Sequence, residues 1–304
     1  MPVLGIDVGG TQIKAGLVSD SGTVLRAEKV ATPGNLDAFV AALQGVSARL
    51  LDGVGDLTGV GIGCKGVIHP SDTTVITSPG PIRYLDGHKL SSFFPEGTRV
   101  VADNDARVAL AGEVVWGAAK GCTDALMLTL GTGVGGGILS DGRILRGATG
   151  IAGHLGHYTV ERDGQLCICG NRGCIETIFS ARSIESDAAA VLHRAAKTSM
   201  PPNVTCQQVF EYARAGDVAA GMIIDGGISK LAGAVAGLFL MFDPQVMIIG
   251  GQIAQAGDQI FVPLREQVYA RTRDFLMREI PIVGSQVADS TGVLGAAALL
   301  LHQF

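Results

Sequence analysis

The sequence predicts a mixed α/β protein of two domains, each built on one copy of a duplicated β-meander. Three observations carry this prediction. The chain has 304 residues, enough for two cores, and its 47% hydrophobic and 17% charged residues exclude disorder. Residues 3–26 and 126–146 share one pattern: an apolar strand, a glycine turn, a second strand, a Ser-Asp-Gly type of turn and a third strand. The phrases GLVSDSG and GILSDG recur at the same place in both copies. Finally, helical and strand-like segments alternate after each meander.

Taken in order, the first meander leads to an amphipathic helix over residues 36–51, with Leu36, Phe39, Val40, Leu43, Val46 and Leu50 on one side. Residues 60–63 and 99–102 read as buried strands, and Asp103-Asn104-Asp105 opens a helix that runs to Trp116. After the second meander come helices near 180–197 and 206–215, an apolar helix over 231–242, a strand over 246–249 and a last helix from Leu294. The 12-residue apolar stretch 231–242 is shorter than the roughly 20 residues a bilayer requires, so it reads as a buried helix with no membrane role. Met1 and Pro2 run straight into the strand-like Val3-Leu4-Gly5-Ile6, so no signal peptide and a cytoplasmic location are expected. A net charge of −5 offers no basic footprint for nucleic acid.

His157, Cys167, Cys169 and Cys174 form a histidine followed by C-x-C-x4-C. Thiolates and an imidazole at such spacing suit a tetrahedral zinc ion, and four protein ligands make that ion structural. An open, hydrolytic zinc site is therefore excluded. Cys64, Cys122 and Cys206 stand in apolar or scattered contexts and read as buried small residues.

Two turns carry the features of phosphate cradles. Asp7-Val8-Gly9-Gly10-Thr11 sets two glycines between strands, with a carboxylate before them and a hydroxyl after. Glycines let backbone N–H groups approach phosphate oxygens, and Asp7 can hold Mg²⁺. The second turn, Gly131-Thr132-Gly133, contains G-x-G-x-x-G at Gly131, Gly133 and Gly136. That dinucleotide fingerprint needs a helix to follow, whereas here a strand and hairpin continue, so the Rossmann reading fails. No G-x-x-x-x-G-K-S/T loop is present either.

Asp7-x-Gly-Gly-Thr11, Thr129-Leu-Gly-Thr-Gly133, the H-x9-C-x-C-x4-C cluster, Gly250-Gly251 and the closing Gly292-Val293-Leu294-Gly295 together resemble the ROK family of repressors, open reading frames and sugar kinases. The resemblance implies a two-domain, actin-like (RNase H-like) fold with ATP in a cleft between the domains. It implies a smaller domain of residues 1–115 plus 292–304, and a larger one of 116–291 carrying the zinc loop. It also implies γ-phosphoryl transfer from Mg²⁺·ATP to a hydroxyl, most often the 6-hydroxyl, of a hexose or N-acetylhexosamine, with a homodimer as the common assembly. Asp105 of the Asn104-Asp105-Ala106 segment is implied as the catalytic base, a role that suits a carboxylate at a helix start. Asp7, Gly9, Gly10, Thr11, Lys14, Gly131, Thr132, Gly133, Gly250 and Gly251 are implied as nucleotide contacts. Asn104, His154, His157 and Glu176 are implied around the sugar. Family repressors carry a DNA-binding segment before the first glycine turn, and only six residues precede Asp7 here.

The sugar pocket departs from the family pattern. His154 stands where the family has Glu, Lys65-Gly66 replace a Pro-Gly pair, and Gly80 and Tyr84, with Arg83 between, replace an Asn and a Trp. An imidazole offers one donor and one acceptor where a carboxylate accepts two hydroxyls. If Lys65, Arg83 and His154 all face inward, the pocket becomes more positive and a non-glucose sugar is the expected substrate. The alternative class is a sugar- or nucleotide-binding regulator without catalysis. The metal cluster is expected to clasp the sugar residues, so Cys169→Ser should damage sugar binding and stability far more than nucleotide binding.

Overall fold

The computed structural model describes residues 1–194, 197–287, 291–302 and 304. The first meander forms β1 (Val3–Val8), β2 (Gln12–Val18) and β3 (Val24–Ala31), followed by α1 (Leu36–Leu51). Asn35 caps α1 by accepting the Ala38 N–H, and Phe39, Leu43, Val46 and Leu50 are buried on its inner face. Next come β4 (Val60–Cys64), the short β5 (Val67–Ile68) and β6 (Val75–Thr77), β7 (Val100–Asn104) and α2 (Asp105–Trp116). The second meander forms β8 (Ala125–Leu130), β9 (Val134–Ser140) and β10 (Arg143–Ile144). The helices α3 (Ile175–Ile178), α4 (Ala181–His193), α5 (Cys206–Arg214) and α6 (Val218–Phe242) precede β11 (Val246–Gly250), α7 (Asp258–Thr272), β12 (Ile282–Gly284) and α8 (Thr291–Leu301).

The duplication expected from the sequence is present in the sheet topology. One five-stranded sheet runs β3-β2-β1-β4-β7 and the other β10-β9-β8-β11-β12. β1 pairs antiparallel with β2 and parallel with β4, and β4 pairs parallel with β7. In the second sheet β8 pairs parallel with β11, and β11 with β12. The parallel strands β4 and β11 are buried at every position, as strands covered on both faces must be.

The chain divides into two compact units. The first comprises residues 1–123, 137–153 and 286–304, and the second 124–136 and 154–285. Residues 137–153 thus group with the first unit, although the expected boundaries counted them with the second. In the first unit α8 lies on the sheet so closely that a Cβ at Gly61 would meet the carbonyl of Ala296. α8 also begins at Thr291, ahead of the expected Leu294, because Gly292 and Gly295 serve close packing and are not helix breakers here.

One expectation is corrected. The apolar segment 231–242 is only the second half of α6, which has 25 residues and a mean hydropathy of 1.5 over its most apolar window. Length and composition alone would let α6 cross a bilayer. Instead Ile224, Ile228, Leu231, Val235, Leu238 and Phe239 are buried in the second unit, and Lys230 pairs with Glu161 at 2.7 Å. The expected helix near 180–197 ends at His193, and residues 195 and 196 lie outside the described residues.

Candidate active site

In the first unit, β1 ends next to the first glycine turn. The Gly9 N–H donates to the Gln12 carbonyl at 3.0 Å, and the Thr32 hydroxyl donates to the Gly9 carbonyl at 2.7 Å. The first N–H of the turn therefore serves the turn itself. Asp7 lies opposite Lys14 in the β1–β2 register. Loss of water around its carboxyl, reinforced by the charge of Asp105 and opposed by Lys14, raises its pKa from 3.8 to about 6. A Cβ at Gly292, in the first turn of α8, would fall on the Asp7 carboxylate. Only glycine at 292 leaves that carboxylate its place.

β7 delivers Asp103 and Asn104 to the start of α2. Asn104 is the N-cap, its side-chain oxygen accepting the N–H groups of Ala106 and Arg107. Its amide nitrogen donates to the Gly66 carbonyl and to Asp105 Oδ1, each at 2.9 Å. The Ala106 N–H also donates to Asp105 Oδ1 at 3.0 Å, so both bonds hold the same oxygen. Asp103 is buried and accepts from Arg107 Nε at 2.6 Å, Arg146 Nε at 2.7 Å and the Asn104 N–H at 2.7 Å. The fully buried Arg107 in turn donates to the Ala152 carbonyl at 2.8 Å. Cys64, at the end of β4, is fully buried, and its thiol is held strongly protonated by loss of water and then by Asp105 and Asp7.

In the second unit the glycine turn between β8 and β9 closes through the Gly131 N–H donating to the Gly133 carbonyl at 3.0 Å. The Gly131 carbonyl accepts from the Ala181 N–H at 2.8 Å. Gly251, just past β11, has φ +86 and lies against the Leu130 backbone, where a side chain would collide. A cavity of about 420 Å³ opens beside this turn, lined by Gly131, Cys206, Phe210, Arg214, Gln252 and Ile253 among others. The sequence reading reached Gly131 and the Gly250-Gly251 loop but missed Phe210, Arg214 and Gln252, whose segments are distant in the chain. The position of Gln252 directly after Gly250-Gly251 was the available signal.

The four candidate metal ligands converge, with all donor atoms within 4.8 Å of one another. Cys169 Sγ lies 3.7 Å from Cys174 Sγ, and Cys167 Sγ lies 3.4 Å from His157 Nδ1. A tetrahedral zinc ion sets its sulfurs about 3.8 Å apart and a sulfur and a nitrogen about 3.6 Å apart, so the donor set fits that ion. The loop reverses at Gly170 and Gly173, with φ +88 and +64, and the Gly173 carbonyl ties it to the N–H groups of Val160 and Glu161.

The expected sugar residues cluster on the same loop. The rings of His154 and His157 stack with centroids 6.4 Å apart and an interplanar angle of 10°. Glu176 begins α3 two residues after Cys174, and its Oε2 accepts the Val134 N–H at 2.9 Å. Of the residues expected to add positive charge, Arg83 has an 82% exposed side chain beside Asp86, and Lys65 is half-buried at the end of β4.

The profile of the ROK family matches residues 3–303. The chain belongs to the ROK family. It is similar to the glucokinase of Thermotoga maritima, with 34% identity over 314 residues covering 99% of this chain and 97% of the relative. It is also similar to the N-acetylmannosamine kinase of Citrobacter koseri, with 29% identity covering 98% of both chains. Among solved structures, the ROK family glucokinase from Streptomyces griseus in complex with glucose and AMPPNP superposes with a TM-score of 0.79. It shares 32% identity over 98% of this chain and 99% of its own. ROK sugar kinases have the actin-like ATPase fold, which the two β-meander sheets of this chain share.

Proposed function

We propose that this chain is an ATP-dependent sugar kinase, transferring the γ-phosphoryl group to a hydroxyl, the 6-hydroxyl first among them, of a hexose or N-acetylhexosamine. The observation that carries this reading is the state of Asp105. Asn104 and the Ala106 N–H both bond its Oδ1, at the N-terminus of α2, so the carboxylate is oriented with Oδ2 left to take a hydroxyl proton.

The cavity along α5 and residues 252–256 has the size and mixed lining for the adenosine part of the nucleotide. The N–H groups of Gly10, Thr11, Thr132 and Gly133 take the phosphates, with Gly9 and Gly131 shaping the two turns and Lys14 adding charge. Asp7 holds Mg²⁺, a fit supported by its chemistry: a buried carboxylate pushed up to about 6 gains from a neighbouring dication that favours its ionised form. When bound, the dication neutralises charge on the phosphates. His154, His157, Asn104 and Glu176 orient the sugar, with His154 altering recognition relative to a carboxylate. His157, Cys167, Cys169 and Cys174 hold one structural zinc ion, which fixes the loop. We also propose a homodimer. Leu240, Met241, Phe275 and Met277, all in the second unit and more than half exposed, are apolar surface that a second copy would cover.

A panel of hexoses, N-acetylhexosamines and sugar acids with Mg²⁺·ATP, read by ADP release, tests the reaction. Transfer to at least one neutral sugar by the native chain, abolished in Asp105→Asn with nucleotide binding intact, is the expected result. Equal ADP release by the variant would overturn the base assignment.

A further inference from the structure

Glu176 sits where a sugar contact is expected, yet the bond it makes goes elsewhere. Its Oε2 accepts the N–H of Val134, the residue that closes the second glycine turn. A Cβ on Gly133 would collide with the same carboxylate. Gly133 does not have a left-handed φ, so its backbone conformation does not demand glycine, whereas the neighbouring carboxylate does. On its other side, Val134 presents its carbonyl to Gly156, where again any side chain would collide. Gly156 immediately precedes the ligand His157, and Glu176 follows the ligand Cys174 by two residues. Both flanks of the metal loop thus grip one residue, Val134, through the two peptide groups on either side of its Cα.

We infer that Glu176 is a positioning residue for the nucleotide phosphates, acting through the backbone of Gly133 and Val134 in addition to any contact with sugar. A run of glycines has more conformational freedom to lose than any other sequence, and the N–H groups of Thr132 and Gly133 can serve a phosphate only if their direction is fixed. The Glu176 carboxylate fixes it, because a bond from an N–H to an ionised acceptor is among the stronger hydrogen bonds. Nucleotide affinity then depends on a residue that touches no nucleotide. This inference rests on reading the Gly131–Gly133 turn as a phosphate cradle.

Direct titration with Mg²⁺ and a non-hydrolysable ATP analogue, without sugar, reads nucleotide affinity apart from turnover. Glu176→Ala is expected to weaken binding about tenfold through loss of the charge-assisted bond. Glu176→Gln keeps an oxygen that can accept the Val134 N–H and is expected to stay within about threefold of the native chain. The KM for sugar is expected to rise in both variants, so the nucleotide and sugar effects separate in the Gln variant. Unchanged nucleotide affinity in Glu176→Ala, or equally poor binding in the Ala and Gln variants, would overturn the inference. Should Glu176→Ala not fold, Glu176→Asp withdraws the carboxylate from the turn by one methylene and is held to the same tenfold expectation. Failure of the kinase reading has a different signature, namely no phosphoryl transfer by the native chain to any sugar in the panel.

Discussion

The two glycine turns occupy equivalent places in the duplicated sheets, between the first and second strands of each meander, yet they are built for opposite chemistry. The first ends a strand carrying Asp7, whose carboxylate sits beside Asp105 and is pushed up to about 6. The second ends a strand with Thr129 and Leu130 and carries no carboxylate of its own, its shape held by Glu176, Gly156 and the Ala181 N–H. One copy accumulates charge that folding disfavours; the other accumulates steric constraint. Duplication supplied the scaffold twice, and the residues flanking each turn decided what it does.

The comparison can be broken most severely at the charged half. Asp105→Asn should lower kcat by roughly a thousandfold, the range of a general base, while nucleotide titration stays near native. A matching loss of nucleotide binding would show that Asp105 serves the fold of α2 and not proton transfer. The constrained half is tested by Cys169→Ser. Loss of one ligand should lower the thermal midpoint by several degrees and, through Glu176, weaken nucleotide about tenfold. That departs from the sequence-based expectation, in which the loss falls on sugar binding and stability far more than on nucleotide binding. Chelation of the native chain should move both readouts the same way.

Asp7 gives a smaller effect with a definite sign. Its carboxyl titrates near about 6 in the folded chain and at 3.8 ordinarily. The fold therefore carries no penalty from Asp7 below about pH 4, loses stability as pH rises from about 4 to 6, and bears the full penalty above. Asp7→Asn should raise the stability of the nucleotide-free chain at pH 7 by about 2 kcal/mol, and the gain should vanish towards pH 4. Chemical denaturation at the two pH values checks it, and an equal gain at both would remove the electrostatic explanation. Smallest of all, Arg83→Ala should leave the KM for sugar within about twofold of native, since a mostly exposed Arg contributes little. A large change would return Arg83 to the sugar pocket.

Much of this was legible in the sequence because it is local. Strand–turn–strand patterns, the Asn104 cap and the Cys-rich spacing are written within a few residues of one another. The convergence of His157 with the three cysteines follows from a loop short enough to close on itself. The bond between Val134 and Glu176, 42 positions apart, leaves no local pattern. Nor does the cavity, whose walls come from four separate segments. Hydrophobic periodicity reports that a strand is buried, not which core buries it, and so residues 137–153 could not be assigned by pattern. The first half of α6 was missed because Gly226-Gly227 and Asp225 dilute its apolar signal.

The placement of α8 has a consequence for how the chain is made. It packs against β1, β2, β4 and α2, so the first unit is completed by a helix that begins at Thr291, far along the chain from the end of α2 at Trp116. During synthesis at roughly 5–20 residues per second, β1 to α2 must wait on the order of 10 s before α8 covers them. The unit whose strands emerge first is therefore finished last, and until then the apolar faces of β1 and β4 need protection from neighbouring chains or a chaperone.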